Sequence, residues 1–236
     1  MIYYISGIGF VTPEFSGCGR QFRTFDCKLG KLNPISRKDV LDKPYKPFGR
    51  MDFFSKIGFA GVYFACKDAN LINNNKTSNA SIIATTVFGC LETDNNYFNT
   101  IKFENGKNAS PAIFAYTLPN IFLGESSIYL GLTGETFVIN SDTVNGTAGL
   151  KMAFDILDSE ESDFVVCGLC DTNIPEFLKQ KEHLFAGSLF FTISKEKSDF
   201  CYGPVKKDTE DNIYFNDKNT DNLIDLARVC IESNGN

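Results

Sequence analysis

The chain has 236 residues, with 29 acidic side chains, 23 basic side chains and a single histidine. This length can bury a substantial core, and we expect one domain over residues 1–236. The formal net charge of -6 argues against a nucleic-acid-binding surface, because neutralising phosphates requires clustered lysine and arginine. One histidine excludes a multi-histidine metal centre, and we expect neither a metal ion nor a cofactor.

The sequence predicts a cytoplasmic protein without a membrane span. Its N-terminus lacks the basic and apolar regions of a signal peptide, and no run of about 18 apolar residues occurs. The eight cysteines are therefore expected to be free thiols. Cys167 and Cys170 form the only CxxC pair, which follows a predicted strand and favours two inert thiols over a redox or zinc site.

Strand and helix signals alternate along the chain. Apolar runs rich in β-branched and aromatic residues predict strands at 2–10, 81–87, 136–140, 163–166, 187–194 and 212–215. Helical spacing of apolar residues predicts helices at 51–69, 111–123, 146–157 and 221–231. Pro119 should bend or break the second helix, and the polar segment 203–222 is expected to be exposed. The alternation predicts an α/β fold with a mostly parallel mixed sheet and helices on both faces.

An ordered series of segments carries a further signal. It begins with YISGIGFVTP, continues with GRMDFFSKIGFAGVYFACKDA and SIIATTVFGCLETDNNYF, and closes with DFVVCGLCDT and FAGSLFFTISKE. Between them lies SPAIFAYTLPNIFLGESSIYLGLTGETFVINSDTVNGTAGLKMAFDIL. In this order the segments resemble the N-terminal half of the β-ketoacyl synthases, the thiolase-fold condensing enzymes of fatty-acid and polyketide synthesis. The resemblance implies a layered thiolase-like half with a five-stranded mixed sheet.

The resemblance also implies that the catalytic groups are missing. The two catalytic histidines of the family lie in its second half, and His183 matches neither, so we expect it to be a surface or turn residue. The nucleophile turn of active members reads approximately S-x-A-C-x-S/T-G, and aligning Gly146 with its glycine places Thr143 at the cysteine position. Threonine is a poor nucleophile without an adjacent base. Asp142 could act as that base, but we favour helix capping by Asp142 and Thr143.

A non-catalytic role is therefore implied, similar to that of chain-length factors and of the short synthase relatives in aryl-polyene and flexirubin-like pigment pathways. Such a subunit would pair with an active β-ketoacyl synthase, with acyl carrier protein as a further partner and a homodimer as the alternative when alone. The family's interface strand corresponds to Glu135, Thr136, Phe137, Val138, Ile139 and Asn140. The helix at 113–122 would reach the partner's acyl tunnel, and its bulky candidates are Phe114, Leu118, Ile121 and Phe122. Simple packing of these side chains in the interface or core is an equally weighted alternative.

Two other functions remain open at this point. The chain could be a stand-alone acyltransferase or decarboxylase-like enzyme that uses Thr143 with Asp142, or one of its cysteines. It could also be a scaffold that docks the acidic carrier protein on a basic stretch. That stretch contains Arg20, Arg23, Lys28, Lys31, Arg37 and Lys38. A solvated loop is the favoured interpretation of this stretch.

Overall fold

The computed structural model describes residues 1–28, 30–72, 78–102, 106–143, 145–173, 178 and 185–234. The strands are β1 (Tyr3–Val11), β2 (Ser16–Cys18), β3 (Ala80–Thr86), β4 (Thr136–Asn140), β5 (Phe164–Asp171), β6 (Gly187–Ser194), β7 (Gly203–Lys207), β8 (Ile213–Phe215) and β9 (Lys218–Thr220). The helices are α1 (Arg37–Val40), α2 (Lys46–Arg50), α3 (Phe53–Asp68), α4 (Leu91–Ile101), α5 (Pro111–Phe114), α6 (Ile121–Leu130), α7 (Thr147–Asp158) and α8 (Leu223–Asn234). His183 lies outside the described residues.

The strands of the described ranges form one mixed sheet in the order β4-β3-β5-β6-β1-β7-β8-β9, with β2 beside β1. Strand β3 pairs in parallel with β4 and β5, whereas β6 runs antiparallel to both of its neighbours, β5 and β1. In the central part, β4, β3, β5 and β1 therefore point the same way and β6 opposes them. The predicted α/β fold with a mostly parallel five-stranded mixed sheet is confirmed for this central part.

Beyond β1 the sheet continues in short strands that were not all predicted. β2 and β7 share the outer edge of β1, with β2 pairing with its end and β7 with its start. The prediction that residues 203–222 are simply exposed is wrong, because Val205, Ile213 and Phe215 are buried. The residues beside them in β7 and β8 are only half-buried. Because side chains alternate between the two faces of a strand, one face of each of these short strands packs on the core.

Helices cover both faces of the sheet, as predicted. Helices α3 and α6 pack on one face, and α7 and α8 pack on the other. Successive residues of β3, Ile82 and Ile83, contribute to opposite cores because side chains alternate along a strand. Both cores thus share one sheet.

Helix α3 lies unusually close to β1. A Cβ on Gly9 of β1 would stand 2.1 Å from the Ala65 amide nitrogen and 2.4 Å from the Gly61 carbonyl oxygen. Only glycine permits this approach of strand to helix. The close packing fixes the C-terminal half of α3 against β1.

The described residues contain no helix long and apolar enough to cross a membrane. The eight cysteines are free, and Cys167 and Cys170 are both buried in β5. Within the same ranges, no group of three or more histidine, cysteine, aspartate or glutamate side chains could hold a metal ion.

Candidate functional site

The carboxyl ends of the parallel strands β3, β4 and β5 meet at one end of the sheet. The turn after β4 contains the predicted nucleophile position. Its first residue, Ser141, donates its amide to the Thr86 carbonyl of β3 at 2.9 Å. Thr143 is exposed, and its amide and hydroxyl contact the Ser141 hydroxyl at 3.2 and 3.4 Å. Asp142 is exposed as well. The Thr143 hydroxyl therefore faces another hydroxyl, which is not a general base.

Helix α7 begins after this turn without a cap from Asp142 or Thr143. Its N-cap is Gly146, whose φ of 71° lies in the left-handed region, and no side chain caps it. The Oδ1 atom of Asn145 accepts the Thr147 amide at 3.3 Å. The prediction that Asp142 and Thr143 cap this helix is wrong, because the helix begins at a glycine beyond them.

Strand β4 is the edge strand at this side of the sheet. Among the described residues it pairs only with β3. Its three central side chains, Phe137, Val138 and Ile139, are half-buried, and its two ends are exposed. Just before it, Glu135 is exposed and donates its amide to the Ser81 hydroxyl at 2.9 Å. The predicted strand is confirmed, and its outer side offers backbone N–H and C=O groups to a further strand.

The segment predicted as a helix at 111–123 forms two helices, α5 and α6, so the predicted break at Pro119 is confirmed. Pro119 lies in their connection and cannot donate a backbone N–H, so the helix does not continue through it. Phe114 and Leu118 are 58% and 59% exposed. Both side chains stand on the surface of this chain and are available to a partner.

Phe122, by contrast, is fully buried. Its ring makes edge-to-face contacts with Phe54 and Phe190, at 5.5 and 6.2 Å between centroids. A Cβ on Gly58 would stand 2.7 Å from the same ring. The prediction that Phe122 reaches a partner's tunnel is wrong, because the core of its own chain encloses it. Ile121 is half-buried and packs against that same core.

A cavity of about 520 Å³ opens beside the turn after β3. Its walls come from the junction of α2 and α3, the start of α4, the segment around α5 and the residue after β5. Lining residues include Arg50, Phe53, Phe54, Thr93, Asn96, Ile113, Tyr116 and Thr172. Its volume lies in the range of small-molecule sites, and its walls are mixed, with apolar side chains such as Phe54 and Ile113 beside the charged Arg50, Asp52 and Glu92. Sequence patterns did not indicate the cavity, because its walls are distant in the chain and only the α5 segment belonged to a predicted site.

Asp52 and Cys90 form a polar corner of this cavity. Asp52 caps α3 by accepting the Ser55 amide at 2.9 Å, and it also accepts the Thr93 hydroxyl. The Cys90 thiol lies 3.8 Å from the Asp94 carboxylate. Burial, followed by the nearby carboxylates, raises the pKa of Cys90 to about 12. The thiol therefore stays protonated near neutral pH and is a weak nucleophile.

Six cysteines elsewhere in the fold are no better activated. Burial raises the pKa of Cys18 and Cys66 to about 12 and that of Cys27 to about 11. Burial also raises the pKa values of Cys167, Cys170 and Cys230. None of these thiols has the lowered pKa that catalytic cysteines require.

Three of the six basic side chains between residues 20 and 38 make internal contacts. Arg20 forms an ion pair with the buried Asp68 at 3.1 Å, and Lys28 forms one with Glu14 at the same distance. Arg37 donates to two backbone carbonyls. These contacts leave a smaller free positive surface for an acidic carrier protein than the sequence suggested.

Residues 39–178 match the family model described as "Beta-ketoacyl synthase, N-terminal domain". The 3-oxoacyl-[acyl-carrier-protein] synthase 2 of Staphylococcus aureus (strain N315) is 26% identical over 140 residues. That match covers 59% of this chain and 33% of the relative. The matched part thus spans about a third of the relative's length.

Solved structures share the fold at low sequence identity. The ishigamide ketosynthase/chain length factor aligns with a TM-score of 0.66 and 13% identity, covering 86% of this chain and 62% of that chain. The ketosynthase ApeO in complex with its chain length factor ApeC, from Xenorhabdus doucetiae, aligns with a TM-score of 0.63 and 14% identity. This second alignment covers 84% of this chain and 81% of that chain. The fold is therefore that of ketosynthases and their relatives.

Proposed function

Because this chain belongs to the β-ketoacyl synthase family, whose N-terminal domain model matches residues 39–178, we propose that it is a non-catalytic subunit of the chain-length-factor type. It pairs with an active ketosynthase and shapes that enzyme's acyl tunnel in a polyketide or fatty-acid type of synthesis, with an aryl-polyene-like pathway as the nearest candidate. Acyl carrier protein is the further partner. The two cores share a single sheet, which supports one domain over the whole chain.

The geometry of the nucleophile turn is the observation that carries this proposal. Thr143 occupies the position where the family's motif has cysteine, and its hydroxyl contacts the Ser141 hydroxyl at 3.4 Å rather than a base. A threonine nucleophile needs such a base to lose its proton. The cysteine of the nearby cavity, Cys90, has a raised pKa and does not replace the missing thiolate. These features support a subunit that does not form an acyl-enzyme.

The edge strand β4 supports a protein partner. A half-apolar strand with a free outer side is prone to uncontrolled pairing unless another chain covers it. Thr136 and Asn140 at its ends are exposed, so they are accessible to a second strand. A stable interface buries roughly 800 Å² on each partner, and a short strand alone does not supply that area. Exposed apolar residues near this end of the sheet, Phe114 and Leu118, add to the surface available.

The acyl-tunnel role now depends on the segment around α5 rather than on the whole predicted helix. Phe114 and Leu118 remain the exposed candidates, whereas Ile121 and Phe122 belong to this chain's core. Ile113, between Ala112 and Phe114, lines the cavity beside the β3 turn. The apolar part of the cavity wall, which includes Phe53, Phe54 and Ile113, suits part of an acyl chain, because the free energy falls when apolar surface leaves water.

The pairing can be tested by co-expressing the chain with a full-length β-ketoacyl synthase of the same organism and purifying through a tag on the synthase. Thr136→Lys places a charge on the exposed β4 edge, while Thr209→Lys makes the same change at an exposed residue after β7. We expect the wild-type chain and Thr209→Lys to co-purify with the synthase, and we expect most of the Thr136→Lys chain not to be retained with it. A wild-type chain that binds no synthase, or equal recovery of the two variants, contradicts the proposal.

A further inference from the structure

Asp171, the last residue of β5, is a buried carboxylate at the same end of the sheet. Its Oδ1 atom accepts the Thr86 hydroxyl at 2.7 Å and the Phe88 amide at 2.9 Å. Its Oδ2 atom accepts the Val87 amide at 2.9 Å. These O–H and N–H donors are the contacts that balance its charge within the described residues.

Through Thr86, this carboxylate connects two turns to the end of β5. The Thr86 hydroxyl that donates to Asp171 also accepts the Gly89 amide at 2.7 Å. The Thr86 carbonyl accepts the Ser141 amide at 2.9 Å, at the start of the turn that contains Thr143. Gly89 and Thr172, the neighbour of Asp171 in sequence, both line the cavity. The Asp171 side chain therefore binds the turn at 87–89 directly and is linked to the nucleophile-position turn through Thr86, whose backbone carbonyl accepts the Ser141 amide.

The chemistry of a carboxylate suits this position. An ionised aspartate only accepts hydrogen bonds, so both of its oxygens can face donors. In asparagine an NH2 group replaces one of these oxygens, and its N–H groups would face a donor without an acceptor. A buried charge without a basic partner is expensive unless it is fully hydrogen-bonded. Packing alone does not require such a group, since an apolar or amide side chain would fill the same space. The charge is useful because it holds several donors from one turn at once.

We propose that Asp171 is a positioning residue, which holds the turns at 87–89 and 141–143 against β5 and thereby sets the shape of the cavity. The effect on acyl chains rests on the proposed function, whereas the effect on the turns does not depend on any partner. The role assigned to Asp171 is indirect, since it acts through Thr86 and the amides of the turn.

The test uses the full-length chain and four substitutions. Asp171→Asn removes an acceptor oxygen from the hydrogen bonds around the turn at 87–89, and Thr86→Val removes the hydroxyl that donates to Asp171. Thr86→Ser keeps this hydroxyl and is the conservative variant. Tyr202→Phe is the matched control, because it deletes another buried hydrogen bond to a carboxylate, the 2.6 Å contact with Asp68 beside β1. Amide hydrogen exchange is measured at residues 87–89 and 141, and the product lengths are measured with the reconstituted synthase.

We expect Asp171→Asn and Thr86→Val to accelerate exchange at these amides by about tenfold or more, since a hydrogen bond to a charged group is lost. Thr86→Ser should retain protection, and Tyr202→Phe should lower thermal stability without changing these amides or the products. Equal exchange in Asp171→Asn and Tyr202→Phe overturns the positioning role. If Asp171→Asn does not fold, the amide exchange of Thr86→Val is compared with that of Thr86→Ser, and equal exchange in these two variants overturns the positioning role. Faster amide exchange with unchanged product lengths overturns the proposal that Asp171 sets the shape of the cavity. Failure of the wild-type chain to bind a synthase counts against the proposed function instead.

Discussion

Replacing Phe122 or Phe114 with alanine separates a side chain of the core from an exposed side chain that is proposed to face a partner. Phe122 is fully buried, with Phe54 and Phe190 at 5.5 and 6.2 Å between ring centroids. Truncating a core phenylalanine costs about 3–5 kcal/mol, because apolar contacts are lost and a cavity remains. For a chain of this size each kcal/mol corresponds to about 2–4 °C, so the melting temperature of Phe122→Ala should fall by roughly 6–20 °C.

Phe114 is 58% exposed and contacts the Tyr97 ring at 5.1 Å between centroids. Losing such an aromatic pair costs about 0.5–1.5 kcal/mol, which predicts a much smaller thermal shift. Phe114→Ala should instead change the product lengths of the reconstituted synthase pair while leaving total condensation largely intact. The assay combines thermal unfolding of the isolated chain with product analysis by mass spectrometry. Similar thermal shifts for the two variants, or unchanged products for Phe114→Ala, would refute this division of roles.

Three further predictions concern the nucleophile turn, the thiols and the strand–helix contact. Thr143→Cys should not create condensing activity. Incubation of the wild-type chain with acyl-carrier-protein thioesters should show no acyl adduct by intact mass, and an adduct on Thr143 would contradict the account of an inert nucleophile position. The pKa of Cys90 is raised to about 12, so its thiolate fraction becomes large only as the pH approaches that value. Iodoacetamide at pH 8 should therefore leave Cys90 unmodified in the native chain and modify it after unfolding, as peptide mapping can show. Gly9→Ala would place a Cβ 2.1 Å from the Ala65 amide nitrogen. Unfolding by denaturant should therefore show a loss of about 1–3 kcal/mol in the free energy of unfolding. An unchanged unfolding midpoint would argue against the close packing of α3 on β1.

The central sheet was predictable because its signals are local. The apolar runs that form β1, β3, β4 and β6 are long or strongly β-branched, and the pattern of α3 is apolar around most of its surface. Among the outer strands, β8 was predicted at 212–215, whereas β2, β7 and β9 escaped prediction; β2 and β9 are only three residues long and depend on pairing rather than on their own composition. Short strands of this kind become ordered only when a neighbour supplies their hydrogen bonds.

The candidate site was predictable only in part. The motif predicts Thr143 at the nucleophile position, and Thr143 lies in the turn after β4, but the motif could not show that Gly146 is the N-cap of α7 or that Ser141 is the partner of Thr143. Helical spacing also grouped Phe122 with Phe114, although Pro119 divides the segment and turns the two rings to different environments. The cavity and the Asp171 cluster depend on residues that are far apart in the chain, and periodicity carries no information about such contacts.

The condensation activity of the reconstituted pair shows whether this chain contributes a catalytic nucleophile. Two complexes are compared, one with Thr143→Ala in this chain and the other with the nucleophilic cysteine of the partner synthase replaced by alanine. We predict that the first complex condenses acyl units like the wild type and that the second is inactive. Loss of activity in the Thr143→Ala complex, or activity of this chain without any synthase, would contradict the account of a non-catalytic subunit.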